Sequence, residues 1–386
     1  MKNIHYDNSN NIHPYVNMGS KLIPASQAES HPLFSEFDSW RRLVSKSAVN
    51  SIISQGMEVN FNLTCPHHLQ NIYLEIKLQE TANVTNSTVH IYNLFEKIEI
   101  DYGGQNWRIL HPDDRYVGKV LLERSFDEHR KKRYSEGLEA DFTPTPNNIP
   151  QNGTTTFYVE LKLFEFPFDV RQLNNEFFLR FYFNQPAYFV SAGSTSINLS
   201  SFNILTRSLD LPLYRYNKPL IHKYVKWVRT MEDRIMNASS YVDIKLNSFH
   251  GPSLMLFFVI RNLPINTSVA NWTTYITNGI ASYELHDRSN DLIAIKHTRD
   301  TNRVITYEWD SEYLNQFNNI LVLPFSKNPQ LDIMTGNVSG CYNFTSDEVL
   351  RIDFDSTWVS GNYHVTIYSA EIETFEVNNG NFIYSH

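Results

Sequence analysis

The side chains that could do chemistry in this chain fall into a few short groups. His67 and His68 are adjacent, so on a strand their imidazoles would point to opposite faces, and no second cluster of ligands completes a metal site. They read as turn residues between two strands. His111, Asp113 and Asp114 offer the donor types of a divalent-metal site. Carboxylates that follow Pro112 also suit the first turn of a helix, where free N–H groups favour negative charge, and that reading is simpler. Glu136, Glu139 and Asp141 read as a solvated loop, because carboxylates close in sequence are no acid/base pair without a pocket around them. The nucleophile elbow, the P-loop, the glycine-rich dinucleotide turn and the paired-histidine zinc helix are all missing. The expectation is a protein with no catalytic residues, no cofactor and no metal.

Composition limits the elements that would position any site. The 386 residues include 25 Phe and 22 Tyr against 14 Gly, an aromatic surplus that fits pleated, half-buried surfaces, so strands should dominate. The formal net charge of −8 argues against sequence-specific or general nucleic-acid binding, which needs a basic face to displace counterions. Cys65 and Cys341 are too few and too far apart to imply a disulfide framework. The opening residues MKNIHYDNSNNIHPY lack the apolar core of a signal peptide, and no run reaches the ~20 apolar residues needed to cross a bilayer. The expectation is a chain made and kept in solution.

Along the chain, residues 1–50 are polar and rich in Asn and Ser, and read as an extended arm with a short helix around Phe37 to Ser45. From Gly56 the period changes. Met57, Val59, Phe61 and Leu63 alternate with polar residues, and Ile72, Leu74, Ile76 and Leu78 repeat the pattern, as strands with one buried face do. Further strands are expected at Val89–Tyr102, Thr154–Phe166, Glu176–Asn184 and 197–209, with a helix from Pro112 to Arg133 between them. A second series follows from Val242: the apolar run Leu254–Ile260, then Asn271–His286, Leu292–His297, Arg303–Trp309, Val349–Phe354 and Tyr363–Val377, with a short helix near Ser311–Phe317. The layout is all-β, in two similar units at 51–212 and 239–386.

Residues 213–238 read as the connector. Arg215, Lys218, Lys223, Lys226 and Arg229 occur there with Tyr216, Tyr224 and Trp227 interleaved and no acidic residue before Glu232. Two readings stand: charges that are simply solvated, or a basic, aromatic underside that meets anionic lipid headgroups.

Three stretches of the second unit carry a family resemblance: Leu323-Pro324-Phe325-Ser326-Lys327-Asn328-Pro329, then Gly336 to Thr345 with Ser339-Gly340 and Asn343-Phe344-Thr345, then Leu350 to Phe354. Together they resemble the second barrel of double jelly-roll major capsid proteins of the tectivirus, adenovirus and large eukaryotic DNA virus lineage. Thr345 stands where that family usually has Ser, and Ser346-Asp347 replace an Arg that often follows. In the first unit, Phe95 to Asp101, Phe164 to Pro167 and Glu176 to Arg180 look like the strands flanking the inter-strand helix of such proteins. The resemblance implies two jelly-roll barrels side by side and a pseudo-hexagonal homotrimer that tiles an icosahedral shell in the virion. The implied partners are neighbouring capsomers and minor capsid or penton proteins, with an internal lipid membrane as a further candidate. Two alternatives remain open: a carbohydrate-binding or carbohydrate-processing β-sandwich, and a viral receptor-binding spike.

Overall fold

The computed structural model describes residues 5–6, 12–13, 37–44, 50–63, 68–82, 86–115, 148–161, 168–169, 173–193, 195–210, 220–265, 274–287, 289, 296–298, 300–301, 304, 320–335, 338–378 and 381–385. Strands dominate them. The first unit contains β1 (Phe37–Val44), β2 (Glu58–Leu63), β3 (His68–Glu80), β4 (Phe95–Tyr102), β5 (Gln105–Leu110), β6 (Thr154–Leu161), β7 (Phe177–Phe183) and β8 (Ile197–Asp210). The second contains β9 (Leu220–Met236), β10 (Tyr241–Lys245), β11 (Gly251–Asn262), β12 (Ile280–His286), β13 (Leu321–Pro324), β14 (Val349–Phe354) and β15 (Gly361–Asn378).

The strand order repeats. One sheet of the first unit runs β6-β3-β8-β1 and its counterpart in the second runs β13-β11-β15-β9. The facing sheets run β2-β7-β4-β5 and β10-β14-β12, the latter extended by an antiparallel bridge from Tyr283 to His297. In both units the chain crosses between sheets in the same sequence, which is the winding of a jelly roll. All the strand pairings above are antiparallel. The aromatic surplus packs inside: Phe61, Phe95, Phe181 and Phe202 form a set of ring contacts at 4.8–5.7 Å, each such pair adding to plain area burial.

Several local expectations are corrected. Phe37–Val44 is not a short helix but strand β1, paired residue for residue with Asp210 to Asn203 of β8. A partner edge overrides a weak local pattern, since a strand's preference is set largely by what it packs against. The last part of the expected arm therefore belongs to the first sheet, as do Ser51 and Ile52, which pair with Leu199 and Asn198. The run expected as one strand from Val89 is broken by a 3₁₀ turn at Ile91–Leu94. Of the described part of Asn271–His286, residues 274–286, only Ile280–His286 is strand. The helix expected from Pro112 shows its first turn, residues 112–115, and the remainder lies outside the described residues, as do Ser311–Phe317 and most of the strands expected at Leu292–His297 and Arg303–Trp309.

The connector is also redrawn. Leu220–Met236 is the longest edge strand of the second unit, matched to Val377 through Gly361 of β15 without a register break. Its basic residues come too thinly to prevent pairing, because a strand with one covered face accepts charges on the other.

Candidate functional site: the junction between the two units

Two hydrophobic clusters divide the second unit's main sheet between its faces. Leu256, Phe258, Ile260, Leu321, Leu323 and Ile367 pack inward against β10, β12 and β14. Val225, Phe257, Val259, Val322, Tyr368 and Ala370, from the opposite face, belong to the same cluster as the first unit's core. The sheet is thus buried on both sides, which is why Leu254–Ile260 is a continuous apolar run and not an alternating one. Burial at ~25 cal/mol per Å² of apolar surface makes this shared face favourable to the docking of the units.

The first unit meets that face with the edge strand β5 and the helical turn after it. Trp107 packs on Tyr224 with ring centroids 5.6 Å apart, and Arg108 donates to the Val225 carbonyl at 2.9 Å. Phe257 stacks on Tyr368 at 4.5 Å. At the centre lies a charged pair: Arg261 of β11, 1% exposed, donates to the Asp113 carboxylate at 2.5 Å. The same carboxylate accepts the Tyr368 hydroxyl at 2.9 Å. Arg261 also reaches Thr366 at 3.3 Å and lies 4.9 Å over the Tyr275 ring. Burial works against the Arg261 charge, but Asp113 outweighs it and the guanidinium is held more firmly protonated than usual.

The neighbouring groups titrate abnormally. Burial pushes Asp114 up to about 7, against the pull of the His111 amide, which donates to it at 2.9 Å, and of the Arg229 charge. Burial and then Arg229 push His111 down to about 3, and burial lowers Arg115 to about 10. On the far side of β15, burial raises Glu371 to about 7. One oxygen each of Asp114 and Glu371 is buried without a hydrogen-bond partner, which a neutral carboxyl tolerates better than an ionised one.

The basic run is dispersed by this geometry. Lys226 is ion-paired with Glu373 at 2.7 Å on the adjacent strand. Arg229 sits in β9 opposite Tyr368, within the electrostatic reach of Asp114 and His111. Lys223 is matched in register with Thr374, and Arg215 and Lys218 lie outside the described residues. Asp113 and Asp114 open a helical turn, as carboxylates after Pro112 suggest, and Asp113 is also the first unit's anchor. No local signal pairs it with Arg261, which is 148 residues away. A second feature missed from the sequence is an open polar hollow of about 680 Å³ at one end of the second unit, lined by Thr277, Asn278, Thr298, Asp300, Asp355 and Thr357 from three separate loops.

Among the described residues no group of three or more His, Cys, Asp or Glu is placed to hold a metal ion, and no helix is long and apolar enough to cross a membrane. The chain matches no family model and no curated protein. Solved structures do match. PBCV-1 VP54, fitted into a cryo-EM reconstruction of the virophage Sputnik, superposes with a TM-score of 0.65 at 15% identity, covering 91% of this chain and 97% of that one. The Faustovirus major capsid protein gives 0.61 at 8%, covering 91% of each chain. The mavirus major capsid protein gives 0.53 at 11%, covering 90% of each. The chain has the double jelly-roll fold of these viral capsid proteins.

Proposed function

We propose that this protein is a viral major capsid protein and that its role is structural, with no catalysis of its own. The observation that carries the reading is the docking of two jelly rolls with the same strand order through a sheet buried on both faces. That arrangement makes one chain a rigid two-barrel wedge, and three wedges around an axis give six barrels in a pseudo-hexagonal outline suited to tiling an icosahedral shell. Solved proteins of this fold, spanning nearly the whole chain, are capsid proteins by name. Heterologous contacts of this kind close into a ring when the rotation between units permits it.

Neighbouring capsomers and minor capsid or penton proteins are the partners this reading implies. The lipid-facing reading of the basic run loses support at Lys226, which is ion-paired with Glu373. The test is negative-stain imaging of the purified protein. Six-lobed particles support the reading, and single two-lobed wedges at micromolar concentration contradict it.

A further inference from the structure

The loops at one end of the second unit enclose a hollow that a purely structural role leaves unused. Its walls are residues 277–281 at the start of β12, Thr298 and Asp300 after the His297 bridge, and Asp355 with Thr357 between β14 and β15. The walls are tied together: the Asp355 amide donates to the Gly279 carbonyl at 2.9 Å, and the Asp355 carbonyl accepts the Ser239 amide at 3.0 Å. Behind them Trp358, 3% exposed, packs between Phe354 at 4.4 Å and Tyr363 at 4.8 Å. Gly279 has φ +86°, and a Cβ there would meet the Trp358 backbone at 2.6 Å, so only glycine lets the first wall close on the third. The hollow is thus preformed on a rigid base. It lies at the end of the unit away from Leu220 and Asn378, the far ends of β9 and β15.

We propose that this hollow is a binding site for an uncharged carbohydrate. Its volume of about 680 Å³ falls within the ~300–1,000 Å³ of small-ligand sites, room for a short glycan and far more than a single ion fills. Its surface carries hydroxyls, an amide and carboxylates, from Thr298, Thr357, Asn278, Asp300 and Asp355, where a lipid or other apolar ligand would need an apolar lining. No Lys, Arg or His lines it, so a sialylated, sulfated or phosphorylated ligand would face two aspartates without a compensating cation.

A sugar presents neighbouring hydroxyls that both donate and accept, and the hollow holds partners of both kinds in place. Asp355 Oδ1 accepts the Thr357 amide at 2.7 Å and its hydroxyl at 2.6 Å, which fixes the carboxylate and holds it below the usual carboxylate range. Its second oxygen is left for a ligand hydroxyl, in a charge-assisted bond stronger than a neutral one. The Thr298 hydroxyl is oriented by Thr301, whose amide donates to it at 3.2 Å. Exposed Ala281 adds an apolar spot for the C–H face of a sugar ring. A bound cation is the poorer match, because among the described residues no three acidic, His or Cys groups are placed to hold one.

The experiment exposes the full chain to an array of oligosaccharides, uncharged ones ending in glucose, galactose, mannose, fucose or N-acetylglucosamine beside sialylated and sulfated ones. Hits are titrated as free sugars by calorimetry, with and without EDTA, and folding is read by circular dichroism. At least one uncharged glycan should bind, with a Kd of ~0.1–1 mM, and the anionic ones should not. Ala281→Trp, which fills the hollow, should abolish binding. Asp355→Asn keeps an oxygen for Thr357 but turns the second acceptor into a donor, and should weaken binding roughly tenfold. Val338→Trp, at a residue 39% exposed outside the hollow, should bind as the unaltered chain does. Should Ala281→Trp misfold, Asp300→Lys on the exposed second wall answers in its place, with the same loss expected. An array without uncharged hits, binding that survives these changes, a preference for anionic glycans, or binding lost in EDTA would each overturn the proposal. The capsid reading is tested separately by particle mass, so either can fail without the other.

Discussion

Asp113 and Arg261 form a buried ion pair at 2.5 Å between a helical turn of the first unit and a central strand of the second, with Tyr368 completing the carboxylate's shell at 2.9 Å. Removing one member of such a pair leaves a charge buried without its counterpart. Asp113→Leu or Arg261→Met alone should each destabilise the chain by about 3–5 kcal/mol. Asp113→Leu combined with Arg261→Met should cost much less than the two single changes together, since neither charge is then orphaned. Urea unfolding of the singles and the double measures the coupling, and simple additivity would show that the pair does not hold the junction.

Two buried carboxyls, Asp114 beside the pair and Glu371 on the opposite face of β15, set a pH dependence. Asp114 and Glu371 are both raised to about 7 by burial, so the folded chain keeps protons that the unfolded chain has released above pH ~4, and stability falls as pH rises toward and through 7. His111 works in the opposite direction: lowered to about 3, it removes stability as pH falls below the ordinary imidazole value near 6.5. Between pH 6.5 and 8.5 these two carboxyls outweigh the remaining, opposite effect of His111. Each should remove about 1 kcal/mol across that window, and Asp114→Asn should flatten the decline in a series of thermal melts. A stability that climbs over the same range would contradict the assignment.

Strand β1 carries a prediction that a free arm would not. Its eight residues pair with β8, and Arg42 reaches Glu75 at 2.8 Å. Removing residues 1–45 strips a strand from the first sheet and bares the β8 edge, an invitation to aggregation. Melting of that truncation should fall well below that of one lacking residues 1–36 only. Equal melting temperatures would mean that β1 adds nothing to the first unit.

Much of the fold was legible from the residues alone, and the reasons are local. Val59-Phe61-Leu63 and Ile72-Leu74-Ile76-Leu78 face one core and solvent alternately, so their period of two survives in the sequence. Leu254–Ile260 was legible as buried, though not as the sheet shared by both units, because a two-sided burial leaves no alternation to read. Residues 220–236 were not legible as a strand. Their period is interrupted by Lys223, Lys226 and Arg229, and only the partner β15 shows why the charges are tolerated: Lys226 lies beside Glu373 there. The junction itself was invisible, since Asp113 and Arg261 meet through the docking of two units and no spacing rule spans 148 residues.

Whether three of these two-barrel chains close into a ring is decided by the mass of the purified protein in solution, read by size-exclusion chromatography with light scattering. A trimer gives a single species at three times the 45.1 kDa chain, unchanged on dilution through the micromolar range, and that is the expected result. A peak at the mass of one chain across that range would contradict it.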